Sequence, residues 1–283
     1  MKIFILGLGK SGTTAMVYKV AGGLPGCRAF SGGQPGKHLG DFENAVYKHT
    51  YEERKGKGFD LYTEHLQNEQ YDRKIWMARD PRDAAVSRML YRWHRGVRGH
   101  KEQYRTHLAL VQKKERDPAS VPFHEICRHS GHGDWPRSTE AVLEAECARY
   151  GRMTDFVASL GSDWHLFTFE QMVKGDFAAL NAFLGFEIKS EAEVAVSTGK
   201  AKVVRKKASG DWRHWFTEED IELFKPVYTP YLERIGYDAN DWELSPRPVI
   251  EPEYASEYMQ NLVRRVPMDE LIRFRNKLFD LFR

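Results

Sequence analysis

A strand that stops on glycines and restarts as a helix leaves little freedom in what can surround it. Ile3-Phe4-Ile5-Leu6 is an unbroken apolar run, Gly7-Leu8-Gly9-Lys10-Ser11-Gly12-Thr13-Thr14 follows it, and Ala15-Met16-Val17-Tyr18-Lys19-Val20 continues in helical character. An apolar run without alternation is the pattern of a strand buried on both faces. The turn between the two would aim backbone N–H groups and the positive end of a helix at one spot, which suits a phosphate or a sulfate.

The rest of the chain repeats the alternation of strand and helix. Cys27-Arg28-Ala29-Phe30 reads as a weak second strand and Asn44-Ala45-Val46-Tyr47-Lys48 as a third, ending at His49-Thr50-Tyr51. Lys74-Ile75-Trp76-Met77-Ala78 is a clear buried strand that stops at Arg79-Asp80-Pro81-Arg82-Asp83, where Pro81 suits the first helical position. Helices are expected over about 138–160 and 176–184, with a strand at His165-Leu166-Phe167-Thr168-Phe169 before the second. Residues 199–212 read as a basic loop. Thr217, followed by Glu218, Glu219 and Asp220, opens a helix. Strands alternating with helices predict a parallel sheet covered on both faces, a three-layer α/β/α fold.

Length and composition agree with that class. At 283 residues, 41% hydrophobic and 13% aromatic, the chain can pack one sizeable domain or one domain with an embellishment. A formal net charge of +3 does not suggest general nucleic-acid binding, and no apolar run is long enough for stable membrane insertion. Cys27, Cys127 and Cys147 are too few and too scattered for a disulfide framework, and Met1-Lys2 runs straight into the first strand with no cleavable leader. A cytoplasmic protein is the expectation.

What the glycine turn holds decides the function. Gly7-x-Gly9-x-x-Gly12 matches the dinucleotide fingerprint, and an NAD(P)-dependent oxidoreductase is the alternative reading it supports. That fold needs a carboxylate at the end of its second strand for the ribose, whereas Arg28-Ala29-Phe30-Ser31-Gly32-Gly33 has none. A nucleoside-triphosphate loop needs Gly-Lys-Ser/Thr in that order, but here Lys10-Ser11 precedes Gly12. A nucleotide-binding module without catalysis is a third reading.

Taken in its own order, Lys10-Ser11-Gly12-Thr13-Thr14 resembles the 5′-phosphosulfate loop of the sulfotransferases that use 3′-phosphoadenosine-5′-phosphosulfate (PAPS). Two further segments are similar to that family, in the right order. Arg79 to Ser87 resembles its 3′-phosphate element, in which an Arg and a Ser lie eight residues apart, as they do here. Arg205-Lys206-Lys207-Ala208-Ser209-Gly210-Asp211-Trp212 resembles its late basic segment, and Phe169-Glu170 with Ala178 to Gly185 resembles a further strand and helix. The sequence departs from the family pattern at Ala15, where an aromatic residue helps hold adenine, and at Lys207, where the family has Gly.

The resemblance covers most of 1–91 and 164–237 and implies a P-loop-like strand–turn–helix in a domain spanning 1–244. Residues 92–137, polar and basic with few apolar anchors, read as a mostly helical lid inserted in that domain, where acceptor specificity is expected. Residues 245–283 read as a Pro-rich linker and a helical tail packed on the domain or on a partner subunit in a homodimer. The resemblance also implies transfer of the sulfuryl group of PAPS to a hydroxyl or amine acceptor, a glycan or small alcohol, releasing the bisphosphate PAP. Lys10 would stabilise the leaving oxygen. Ser11, Gly12, Thr13 and Thr14 would hold the 5′ end, and Arg79, Ser87, Arg205, Lys206 and Lys207 the 3′-phosphate. A general base is needed for the acceptor. The family places a His in Lys-Thr-His, and Lys48-His49-Thr50 makes His49 the first candidate, with Glu52 or Glu53 as alternatives. No metal is expected.

Other features have plainer readings beside the functional ones. Trp212 and Trp215 are expected in the core. His124 to His132 fits no metal-ligand spacing and reads as part of a polar lid. Arg88, Arg92, Arg95, Arg98, Lys101 and Arg105, with His94 and His100, form either a solvated face or a patch for an anionic acceptor. The tail from Met268 has apolar residues at helical spacing.

Overall fold

The computed structural model describes residues 1–31, 42–51, 71–97, 99–130, 135–192 and 209–264. Within them the chain divides into two compact units, Met1–Asp80 with Asp155–Ala201, and Pro81–Thr154 with Lys202–Arg283.

The first unit is built on an all-parallel five-stranded sheet. Its strands are β1 (Lys2–Leu8), β2 (Arg28–Ser31), β3 (Ala45–Tyr51), β4 (Arg73–Ala78) and β5 (Trp164–Thr168), in the order β2-β3-β1-β4-β5. Helix α1 (Thr13–Gly23) follows β1, and α6 (Phe169–Lys174) and α7 (Ala178–Leu184) follow β5. One sheet face carries Ile3, Ile5, Val46, Ile75, Met77 and Phe167, which pack on Met16, Val17 and Val20 of α1 and on Leu180 and Leu184 of α7. Residues of the opposite parity face the other way. Phe4 stacks on Tyr47 at 5.9 Å, and Trp76 meets Phe156 edge-on at 5.0 Å. Both faces are therefore dry, and this explains the continuous apolar runs.

The strand order corrects the dinucleotide alternative. In the dinucleotide fold the second strand lies beside the first, so its terminal carboxylate reaches the ribose. Here β3 stands between β1 and β2. The end of β2 is one strand too far away and carries no acid. The connections from β1 and from β4 leave toward opposite edges, which makes the carboxyl ends of these neighbours the topological switch point where such sheets bind ligands.

The second unit is helical. Its helices are α2 (Pro81–Tyr91), α3 (Lys101–Arg116), α4 (Phe123–His129), most of α5 (Thr139–Ala158) and α8 (Glu218–Arg234), with a short 3-10 turn at Asp211–His214. Its core is aromatic: Phe123 stacks on Phe216 at 4.8 Å, and Tyr150 packs edge-on against Tyr228 at 5.0 Å. Trp212 and Trp215 are both fully buried, as expected of core residues. The tail joins this unit, with Tyr258, Met259 and Leu262 buried and Ser256 hydrogen-bonded through N and Oγ to Glu115 of α3.

Three sequence expectations need correction. The helix expected at 176–184 is present as α7, but the strand expected to reach Phe169 ends at Thr168 and a short helix that was not expected, α6, follows it. Thr168 and Gln171 form a capping box that starts α6 directly on β5, and Gly175, left-handed at φ 73°, ends it. Residues 92–137, read as poor in apolar anchors, contain buried Trp93, Val111, Phe123 and Ile126. Arg88 does not belong to a surface patch. It is part-buried, donating to Tyr150 Oη at 2.9 Å and paired with Glu146. Among the described residues no helix is long and apolar enough to cross a membrane.

Candidate nucleotide site

The loop after β1 is shaped by its own backbone. Gly7 has no room for a side chain, because a Cβ there would lie 2.6 Å from the Met77 carbonyl oxygen and 2.7 Å from Ser11 Oγ. Ser11 is buried and turns both its groups inward, its Oγ donating to Leu8 O at 2.7 Å and its N–H to the same carbonyl at 3.2 Å. Lys10 adopts φ 75°, a left-handed conformation uncommon outside glycine, and Gly12 follows at φ 88° as the N-cap of α1. No side chain caps α1 and no acid sits in its first turn. Its leading N–H groups thus meet no competing carboxylate from its own first turn.

Arg79 emerges from the end of the neighbouring strand β4, where it is 6% exposed. Its Nη1 donates to the carbonyl oxygen of Lys10 at 2.9 Å, and its guanidinium lies 4.3 Å from the centre of the Phe169 ring. Its Nε is buried without an acceptor among the described residues. A buried donor left unpaired is costly, and an anionic ligand is the kind of group that would satisfy it. Phe169 also bounds the loop, its ring standing 2.8 Å from where a Gly12 Cβ would be. Next to it, Glu170 Oε1 accepts from Asp80 N at 3.4 Å.

Lys48, which the sequence reading did not assign to the site, also reaches the loop. On β3 its Nζ donates to Thr14 Oγ1 at 2.8 Å, which brings a second cation to the first turn of α1. The period of two in a strand was the signal that could have found it. Lys48 pairs in register with Ile5 and faces α1, and His49 pairs with Leu6 and faces the opposite side, where its ring meets Tyr47 at 6.2 Å. His49 Nδ1 lies 3.1 Å from Thr50 O. Glu52 and Glu53 lie outside the described residues.

In the second unit, α2 carries the remainder of the Arg79–Ser87 segment. Ser87 is buried on that helix. Arg82 is sandwiched between Trp212 and Trp242, with its guanidinium carbon 4.1 and 4.7 Å from their ring centres. Asp83, fully buried, accepts from the backbone N–H of Gly210 at 2.7 Å and of Trp212 at 3.0 Å. The late basic segment is thus tied at its Gly210-Asp211-Trp212 end to the first turn of α2. Arg205, Lys206 and Lys207 lie outside the described residues.

Among the described residues of the 92–137 stretch, His107 and His124 are engaged within the protein. His124 Nδ1 and N both contact Asp220 Oδ1 at 2.8 Å. His107 accepts from Trp93 Nε1 at 2.8 Å, and burial pushes its pKa down to about 3, so it stays neutral. Among the described residues no cluster of three or more potential ligands could hold a metal ion. A hollow of about 440 Å³ lies in the second unit, bordered by Pro118, Pro122, Phe216, Glu219 and Pro248, and no sequence-predicted site residue lines it.

No family model matches the chain, and no curated protein matches it in sequence. Among solved structures it is similar to mouse sulfotransferase SULT7A1 complexed with PAP, at 18% identity and a TM-score of 0.45, over 82% of this chain and 83% of that one.

Proposed function

We propose that the chain is a PAPS-dependent sulfotransferase, moving a sulfuryl group to a hydroxyl or amine of a glycan or small alcohol and releasing 3′,5′-adenosine bisphosphate. The observation that carries this reading is the hydrogen bonding between three segments far apart in sequence. Arg79 donates to Lys10 of the first, and Asp83, four residues after Arg79, accepts from Gly210 and Trp212 of the third. A phosphate-binding turn by itself fits many nucleotides. A donor with anionic groups at both its 5′ and 3′ ends gives a reason for these basic segments to occur in one chain.

In the proposed reaction the acceptor oxygen attacks sulfur, the bond from sulfur to the bridging oxygen breaks, and that oxygen leaves on the nucleotide. Negative charge grows on the leaving oxygen. Lys10 is the group assigned to meet it, with Lys48 beside Thr14 as a further source of positive charge. The N–H groups of Gly12, Thr13 and Thr14 suit the 5′ end. Arg79, Ser87, Arg205, Lys206 and Lys207 are assigned to the 3′-phosphate, where each charge-assisted hydrogen bond contributes about 1.5–3 kcal/mol. The acceptor's proton goes to His49, Glu52 or Glu53. The position of His49 on the sheet face away from Lys48 favours a carboxylate from the residues after β3. We assign the activity to the cytoplasm, with no metal in the chemistry.

Titration calorimetry with adenosine 3′,5′-bisphosphate, 5′-AMP and NAD tests the donor assignment. Binding of the bisphosphate alone is the expected result. Equal affinity for 5′-AMP would remove the role given to Arg79, Ser87 and Arg205, and preferential binding of NAD would restore the dinucleotide reading. Transfer of radiolabelled sulfate from PAPS to a panel of alcohols, amines and glycans then identifies the acceptor.

A further inference from the structure

Lys10 is the one non-glycine residue with a positive φ among the described residues, at 75°. A lysine persists in that conformation only where its surroundings over-determine it, and such residues cluster at functional sites. The neighbouring turn fixes the chain before it, through the two bonds from Ser11 to Leu8 O. The carbonyl of Lys10 itself is held from outside the loop, by Arg79 Nη1 at 2.9 Å.

The arginine is well placed to act as a rigid arm. It is 6% exposed, and its guanidinium plane rests on Phe169, whose ring also closes against Gly12. A planar, pre-organised fork stacked on an aromatic face loses little freedom when it binds, which a flexible lysine could not match. One edge of the fork is used on Lys10, and Nε has no acceptor among the described residues. The same side chain therefore has donors both for the loop and for a ligand.

We propose that Arg79 is a positioning residue for Lys10. It holds the Lys10 carbonyl, and with it the direction of the Lys10 side chain, so that engagement of the donor's 3′ end and alignment of the lysine at its 5′ end pass through one guanidinium. This rests on the sulfotransferase reading. It goes beyond a role for Arg79 in binding the 3′-phosphate, because it gives Arg79 work to do even on a donor that lacks that group.

Two donors separate the roles. Arg79→Met is compared with wild type using PAPS and adenosine 5′-phosphosulfate, which has no 3′-phosphate. A residue that only bound the 3′-phosphate would raise KM for PAPS when lost and leave turnover of the shorter donor unchanged. Positioning of Lys10 predicts a fall in kcat of tenfold or more with both donors. A second readout needs no activity: hydrogen exchange at the amides of Lys10, Ser11 and Gly12 should accelerate at least tenfold in the variant, with exchange in β1 unchanged. Phe169→Leu keeps an apolar contact but removes the flat face, and should move both readouts the same way, so a poorly folding Arg79→Met does not close the question. Unchanged exchange and unchanged kcat with the shorter donor would overturn the proposal. If wild type transferred from neither donor, the sulfotransferase reading would fail, and the exchange experiment would still decide whether Arg79 holds the loop.

Discussion

At the scale of single residues, two constraints act on the backbone near the candidate site and the late basic segment. Gly7 abuts the Met77 carbonyl, so Gly7→Ala must push β1 away from β4 at the point where the loop begins. Asp83 satisfies two buried N–H groups of the segment that follows the basic stretch. Asp83→Ala strands both donors. Each stranded donor costs about 1–3 kcal/mol, and Asp83→Asn, which keeps one acceptor oxygen, should cost less than the alanine. Denaturant unfolding midpoints at constant m-value check this ordering. A similar effect of Asn and Ala would mean the two hydrogen bonds contribute little. For the chemistry, Lys10→Met should lower kcat by about 10²–10³, the usual loss when one preorganised electrostatic group is removed. Retained affinity for adenosine 3′,5′-bisphosphate, measured by calorimetry, would separate this from a collapsed loop.

At the scale of elements, α4 and α8 are joined at their N-termini by one carboxylate. Asp220 caps α8 through Thr217 and also accepts from the N–H groups of Phe123 and His124 and from the His124 ring. Burial opposes the charge on Asp220, but these hydrogen bonds outweigh it and its pKa falls. The hydrogen bond to Asp220 raises the pKa of His124, against a smaller opposing effect of burial, with the Asp220 and Glu219 charges helping. The Asp220 contribution is present above the unfolded value of about 3.9 and is lost as pH falls through the lowered folded value. The His124 contribution is complete below the unfolded value of about 6.5 and is lost as pH rises through the raised one. The stability difference between wild type and His124→Phe should therefore be largest between about pH 4 and 6.5 and shrink toward pH 8. A difference that stayed flat across that range would mean that His124 has the same pKa in the folded and unfolded states. Lys114 works in the opposite sense. Burial lowers its pKa to about 8, so its contribution grows as pH rises from there toward the unfolded value of about 10.4.

For the whole molecule, what the sequence disclosed followed the physics of each signal. Strands buried on both faces are continuous apolar runs, so β1 and β4 were legible, and so were the helices that start on Pro81 and Thr217. The loop was legible because few residue types suit a turn whose glycine cannot accept a Cβ. Strand order was not, because nothing local in β2 says that β3 will insert between it and β1. Buried polar residues misled by their type: His107 and Lys114 count as hydrophilic, yet both are fully buried, with His107 paired to Trp93 and Lys114 Nζ donating to the carbonyls of Pro118 and Val121. The links from Arg79 to Lys10 in the first unit and from Gly210 and Trp212 to Asp83 in the second could not be read from a linear chain.

Those links lead to a measurement on the intact protein. A ligand that binds only the folded state at 100 times its dissociation constant stabilises by about 2.7 kcal/mol. For a chain of this size each kcal/mol moves the unfolding midpoint by about 2–4 °C. Adenosine 3′,5′-bisphosphate at that concentration should therefore raise Tm by roughly 5–11 °C, read by calorimetry. 5′-AMP at the same concentration should do much less, because it lacks the phosphate assigned to Arg79 and Ser87. Equal shifts from the two nucleotides would leave a phosphate-binding turn in place but remove the reason for the basic segments at 79–87 and 205–207 to act on one ligand.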